Sequence, residues 1–171
     1  MSDFSRDEAQ NILDTVMTPW LDELGMTVEE LTENGAVVRL PWHERISRDG
    51  GLLTGQALLS FADAAMVVVI SSAIGGFQKM ATIDMTTSFL AAAYNTDIIA
   101  RGQVLRRGKR MIYGRIDLET ADTGDHIALI QTTWTLLGDR CFRLKGIRSG
   151  LTRGGWACET HVRAEPSLEW A

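Results

Sequence analysis

Between residues 55 and 75 the sequence carries one charged side chain, Asp63, in a run of otherwise apolar and small residues. A helix that is apolar all round is buried on all sides. A carboxylate inside such a segment is costly unless something pairs with it or uses it. The run follows a glycine-rich stretch, and residues 50–65 read GGLLTGQALLSFADAA. This pattern predicts a long helix in the middle of the fold, with Asp63 doing chemistry and the helix N-terminus polarising a carbonyl.

The remaining chain supplies what surrounds that helix. Residues 5 to about 23 read as a helix, with Ile12, Leu13, Val16, Met17, Trp20, Leu21 and Leu24 forming an apolar stripe, the spacing of an amphipathic helix. Ser5 and Glu8 stand at capping-box spacing, Pro19 is placed to end or kink the helix, and Gly25 stops it. Residues 26–31 and 36–40 read as two strands about a turn at Glu33-Asn34-Gly35, since Asn-Gly favours tight hairpins. Gly75-Gly76 ends the apolar run.

Four strands follow, at 81–90, 97–105, 111–119 and 127–137. In the first, Ile83, Met85, Thr87 and Phe89 share one side, and Thr82, Asp84, Thr86 and Ser88 the other. In the third, Ile112, Gly114, Ile116 and Leu118 alternate with Tyr113, Arg115, Asp117 and Glu119, so one face of the sheet is covered. Tight turns make the last strands antiparallel. The fold class is therefore α+β, an antiparallel sheet wrapped around a long central helix. One sheet cannot cover every side of the helix, so a second copy of the chain is expected to complete the burial, as a dimer or a dimer of dimers.

Length and charge narrow the function. A chain of 171 residues suits one main domain. A net charge of −5 gives no general nucleic-acid footprint. Cys141 and Cys158 form no metal-like cluster and read as free thiols. His43, His126 and His161 lack metal-ligand spacing, so no metal is expected. The polar, acidic N-terminus does not read as a secretory signal. The apolar run at 64–78 is shorter than the ~20 residues of a span, and extending it takes in Asp63, so no membrane span is expected. A cytoplasmic protein is the default. Residues 138–171 are different in kind, with six lysines and arginines, five glycines and no period. They read either as a weakly ordered tail or as a basic arm over a neighbouring subunit or an anionic ligand.

The central stretch and the strands after it resemble the hotdog-fold thioesterases of the phenylacetate-degradation (PaaI-like) group. That group commonly shows an Asn-x-x-Gly-x-x-His-Gly-Gly loop, a helix with an acidic residue nine positions after the His, and a strand ending in a Phe-Leu-Arg-Pro-like sequence. Here Thr54-Gly55-Gln56 falls at His-Gly-Gly, Asp63 at the acidic position, and Ser88-Phe89-Leu90-Ala91 at the strand end. Val104 to Arg110 looks like the next hairpin. The likeness covers about residues 24–137. It divides the chain into an N-terminal helix (1–24), a hotdog thioesterase-like domain (25–137) and a C-terminal extension (138–171). Thr54 replaces the His, Arg48 stands where the Asn is usual, and Gln56 replaces the second Gly.

The resemblance implies an acyl-CoA thioesterase with no cofactor besides the coenzyme A of its substrate. The backbone N–H of Gly55 is the candidate oxyanion donor, at a helix start where such groups are unpaired. Asp63 is the candidate general base or nucleophile. It lies eight residues on, about 12 Å along the helix, so it would meet a substrate held by the loop of another subunit. Thr54 reads as the N-cap, or as a hold on the carbonyl or the water; Gln56 as a side-chain donor, or simply a first-turn residue. Arg48, Gly50, Gly51 and Phe89 would border the substrate. Arg106, Arg107, Gly108, Lys109 and Arg110 form a basic hairpin tip, either solvated charge or a site for the phosphates of coenzyme A. The alternative is a non-catalytic acyl-CoA or lipid-binding protein on the same fold. A hotdog dehydratase or hydratase ranks last, because no His paired with an acidic residue is found.

Overall fold

The computed structural model describes residues 4–138; the readings on the extension beyond lie outside them. Helix α1 is Arg6–Val16. Its N-cap is Ser5, whose hydroxyl accepts from the Glu8 N–H while the Glu8 carboxylate accepts from the Ser5 N–H, the expected capping box. The stripe expected to run on to residue 23 is broken. Met17 is extended (ψ 161°), and a separate short helix α2, Pro19–Asp22, begins on the proline. Proline fits the first position of a helix and not its interior, which is why the chain restarts there. Gly25 (φ 65°) turns it into β1.

Strands β1 (Thr27–Thr32) and β2 (Gly35–Leu40) form the expected hairpin. Two short 3-10 turns, Glu44–Ile46 and Asp49–Gly51, lead into helix α3, Gly55–Ile74. Gly75 ends α3 in the left-handed conformation (φ 84°). Then come β3 (Met80–Phe89), β4 (Ile98–Arg107), β5 (Met111–Thr120) and β6 (His126–Leu136). All pairings are antiparallel, in the order β1-β2-β4-β5-β6-β3. The strand that directly follows the helix thus sits at the far edge, beside the last one.

The sheet packs against α3, whose Phe61, Ala62, Met66, Val68, Val69 and Ile70 are fully buried. Ile112, Ile116 and Leu118 of β5 meet it from the sheet. Two glycines let backbone and helix approach closely. A Cβ on Gly102 would stand 2.4 Å from Val69 Cγ2, and one on Gly114 would stand 2.1 Å from Met66 Cε. Helix α3 is long and apolar enough to cross a membrane, more so than residues 64–78 suggest. Yet 72% of its most apolar window is buried inside the fold, as in a core helix.

Burial of α3 is not complete within one chain. Gln56 is exposed, and Leu59, Ser60 and Asp63 are half-buried. At intervals of three and four residues these four make one open stripe on the N-terminal half of the helix.

Candidate active site

The loop before α3 is held by residues distant in sequence. Gly50 and Gly51 take φ of 81° and 80°, backbone that favours glycine. The Arg48 N–H donates to the Leu52 carbonyl at 2.7 Å, and the Gly51 N–H to the Arg48 carbonyl at 3.0 Å. The Gly51 carbonyl accepts from the Asn95 N–H (3.1 Å) and from Trp42 Nε1 (3.2 Å). A Cβ on Gly51 would stand 1.9 Å from Asn95 Oδ1. The loop's shape therefore depends on Asn95 and Trp42.

That loop delivers the chain to the helix start. Thr54 is the N-cap: its Oγ1 accepts from the Ala57 N–H at 3.3 Å, and its carbonyl accepts from the Leu58 N–H. Among the described residues no acceptor meets the N–H of Gly55 or of Gln56. These are the two donors an N-cap side chain leaves over, and they stand at the positive end of a 20-residue helix. The ring of Phe89, at the end of β3, closes over Gly55, so that a Cβ there would lie 3.1 Å from its Cζ.

Asp63 lies two turns along, on the open stripe. Thr82 Oγ1 donates to Asp63 Oδ1 at 2.7 Å, and among the described residues no cation pairs with the carboxylate. The alternation of β3 places Thr82 on the outer side, with Asp84. A register shift between Thr82 and Asp84 reverses this. Ile83 is the extra residue, left 54% exposed. Thr82 pairs with Trp134 and Met85 with Thr132, so Thr82 joins the helix side. The bulge aims its hydroxyl at Asp63.

The basic hairpin stands elsewhere. Arg107 Nη1 donates to the Ala73 carbonyl at 3.2 Å, at the far end of α3, about 27 Å from Gly55 along the helix. Arg106, Gly108, Lys109, Arg110 and Tyr113 line a shallow depression there, of ≈760 Å³. Within one chain the structure brings together Arg48, Gly50, Gly51, Thr54, Gly55, Gln56 and Phe89. It holds Asp63 one step away, beside Thr82, and leaves the hairpin apart. Sequence reasoning missed Thr82, Asn95 and Trp42. A bulge and two loop-to-loop bonds place them, and no local pattern announces either.

The thioesterase superfamily model matches residues 50–126, from the glycine loop to the start of β6. An inferred esterase of Halobacterium salinarum is 29% identical over 133 residues, 73% of this chain and 87% of that one. The crystal structure of a thioesterase-superfamily protein superposes with a TM-score of 0.69 at 25% identity, covering 77% of this chain and 98% of its own. The Escherichia coli PaaI protein of the phenylacetic acid degradation operon shares the fold, with a TM-score of 0.67 at 20% identity and coverage of 77% and 92%. The six-stranded antiparallel sheet around α3 is the hotdog fold that these structures share, and the similarity to thioesterase-superfamily and esterase sequences supports a thioester hydrolase.

Proposed function

We propose that the protein hydrolyses an acyl-CoA thioester at a site shared by two copies of the chain. The observation that carries this is the pair of unbonded N–H groups at Gly55 and Gln56, on a helix whose one carboxylate, Asp63, stays accessible on the same open stripe. Water attacks the thioester carbonyl carbon as Asp63 takes its proton. The oxyanion that forms accepts from the Gly55 N–H, a contribution of about 3 to 4 kcal/mol for such donors. Collapse breaks the carbon–sulfur bond, the coenzyme A thiolate takes the proton back, and the carboxylic acid leaves. Asp63 as direct nucleophile, through an anhydride, satisfies the same geometry.

Asp63 and Gly55 of one chain stand about 12 Å apart along α3, too far to hold one carbonyl between them. A second copy resolves this. The outer edge of β3 has no strand beside it among the described residues. It exposes Ile83 (54%) and Phe89 (52%) next to the open stripe, a surface suited to cover by another chain. The partner's loop then faces Asp63, and the basic hairpin offers its guanidinium groups to the phosphates of coenzyme A. The protein needs no further cofactor, and a cytoplasmic setting would supply the substrate.

Asp63→Asn, with a panel of CoA thioesters and free-thiol detection, tests the proposal. Turnover falls by at least about a hundredfold, the scale of a general base, with the fold intact by circular dichroism. Full activity removes Asp63 from the mechanism. The second reading is a carrier that binds acyl-CoA or lipid without turnover. The observation favouring it is that Thr54, where the family loop has a His, already spends its oxygen on the helix cap. Saturable binding of a CoA thioester to the unaltered protein, with no thiol released, would select it.

A further inference from the structure

The groups described so far grip a carbonyl and leave the rest of the acyl group without a place. Beside the first turns of α3 lies a cavity of ≈330 Å³, walled by Trp20, Leu24, Ile46, Thr54, Gln56 and Ala57. Its size is at the lower end of the ~300–1,000 Å³ usual for ligand pockets. Three segments build it: α2, the turn Glu44–Ile46 and the start of α3. The Thr54 N–H donates to the Ile46 carbonyl at 3.0 Å, which fixes the turn against the helix. Leu24 and Ile46 are buried and give an apolar floor.

Two features of the wall stand out. Trp20 leaves 52% of itself exposed, on a four-residue helix with no buried residue. A large ring half in water gains by being covered. At the mouth, Arg45 Nη1 donates to Glu23 Oε2 at 2.9 Å, both side chains more than 60% exposed. Both also line the cavity.

We infer that this cavity receives the apolar acyl group, that Trp20 is a specificity-determining residue, and that the Glu23–Arg45 pair limits acyl length. The inference rests on the proposed hydrolysis with the carbonyl at the Gly55–Gln56 amides. An acyl chain held there leaves the carbonyl beside Thr54, Gln56 and Ala57, which line the cavity. Its first carbons cover the Trp20 ring. A chain that outgrows the space meets the ion pair and strips water from it without replacing its hydrogen bonds, which is unfavourable.

The test uses acetyl-, hexanoyl- and palmitoyl-CoA with Trp20→Ala, Trp20→Phe and the double variant Glu23→Ala/Arg45→Ala. Trp20→Ala lowers kcat/KM for hexanoyl-CoA about tenfold, the scale of lost apolar pocket contacts, and lowers it for acetyl-CoA, which reaches the ring with a single methyl, far less. Trp20→Phe keeps most of the hexanoyl rate. The double variant raises the palmitoyl rate alone. Equal falls for acetyl and hexanoyl substrates, or no change, overturn the inference. A second readout does not need turnover: the protein is labelled with fluorotryptophan, and the Trp20 resonance is the one missing from Trp20→Phe. It shifts on titration with S-hexyl-CoA, a thioether that cannot be hydrolysed, and not with coenzyme A. A shift in a protein without thioesterase activity keeps the cavity and rejects hydrolysis. No shift rejects the cavity whatever the activity.

Discussion

Thr82 of β3 donates a 2.7 Å hydrogen bond to Asp63 Oδ1 of α3, across a β-bulge that turns the threonine towards the helix. The bond fixes one carboxylate oxygen and leaves the other without a protein donor among the described residues. A general base needs this arrangement: a held orientation and one free lone pair aimed at water. Thr82→Val keeps the shape and removes the donor. It lowers kcat about tenfold, equivalent to about 1.4 kcal/mol, with KM nearly unchanged, while Thr82→Ser restores most of the rate. Steady-state kinetics on one thioester across the three proteins check this. A rise in KM alone would make Thr82 a binding residue instead.

The proposed sharing of the site between chains predicts complementation. Gly55→Pro deletes the N–H at the first helical position, where proline is tolerated, and Asp63→Asn deletes the proposed base. Each variant alone is inactive. Unfolded together and refolded at equal amounts, they regain about a quarter of the unaltered activity, because half the dimers are mixed and each mixed dimer holds one intact site. Light scattering on the same samples reports the dimer. A refolded mixture that stays inactive while dimeric places both groups in one chain's site.

The elements of this fold were legible because each has a local cause. The 3.6-residue stripe in α1, the uninterrupted apolar run of α3 and the two-residue alternation of β5 all follow from which side chains must leave water. The sheet order was not, because the placement of β3 beside β6 is fixed by closure around α3 and not by any neighbour in sequence. The site divides in the same way. Thr54, Gly55 and Asp63 stand out as a cap, a glycine and a lone charge. Thr82 reaches Asp63 only through a one-residue bulge, which reverses the side that strict alternation assigns it. Asn95 and Trp42 reach Gly51 through loop bonds spanning 44 and 9 residues, distances over which sequence carries no period.

Close approach of backbone to side chain separates two glycines by the stiffness of what they touch. Gly102→Ala drives a methyl towards Val69 Cγ2, a β-branched side chain on the core helix, and Gly114→Ala towards the flexible end of Met66. Overpacking of this kind costs about 1–3 kcal/mol. Gly102→Ala falls in the upper part of that range and Gly114→Ala in the lower, because methionine can swing aside. Urea unfolding of the two variants gives the order directly.

Glu8 sets the acid response of α1. Hydrogen bonds from the Ser5 N–H, and secondly from its hydroxyl, hold the Glu8 carboxyl below the ordinary glutamate value. A lowered folded-state value means the contribution is fully present above the unfolded value, about 4.3. It is lost as pH falls below that and through the folded value. Helicity of α1, followed by hydrogen exchange of its first turns, therefore declines below about pH 4.3. In Ser5→Ala/Glu8→Gln the same amides exchange faster at neutral pH, and their protection no longer depends on pH across that window.

The basic hairpin divides into a structural arginine and a group free to meet anions. Arg107 Nη1 donates to the Ala73 carbonyl, one of the carbonyls a helix end leaves unpaired, and its charge suits the negative end of α3. Arg107→Ala therefore lowers thermal stability, by about 0.5–1.5 kcal/mol for the hydrogen bond. Arg106, Lys109 and Arg110 line the open depression instead. Neutralising them leaves stability nearly unchanged, as exposed charges do. It raises KM for a CoA thioester, and does so less at high salt, where screening has already weakened the attraction. A pantetheine thioester, which lacks the nucleotide phosphates, shows no such rise. If KM for both substrates rose together, the hairpin would be acting on the acyl end or on the fold, and its assignment to the phosphates would fail.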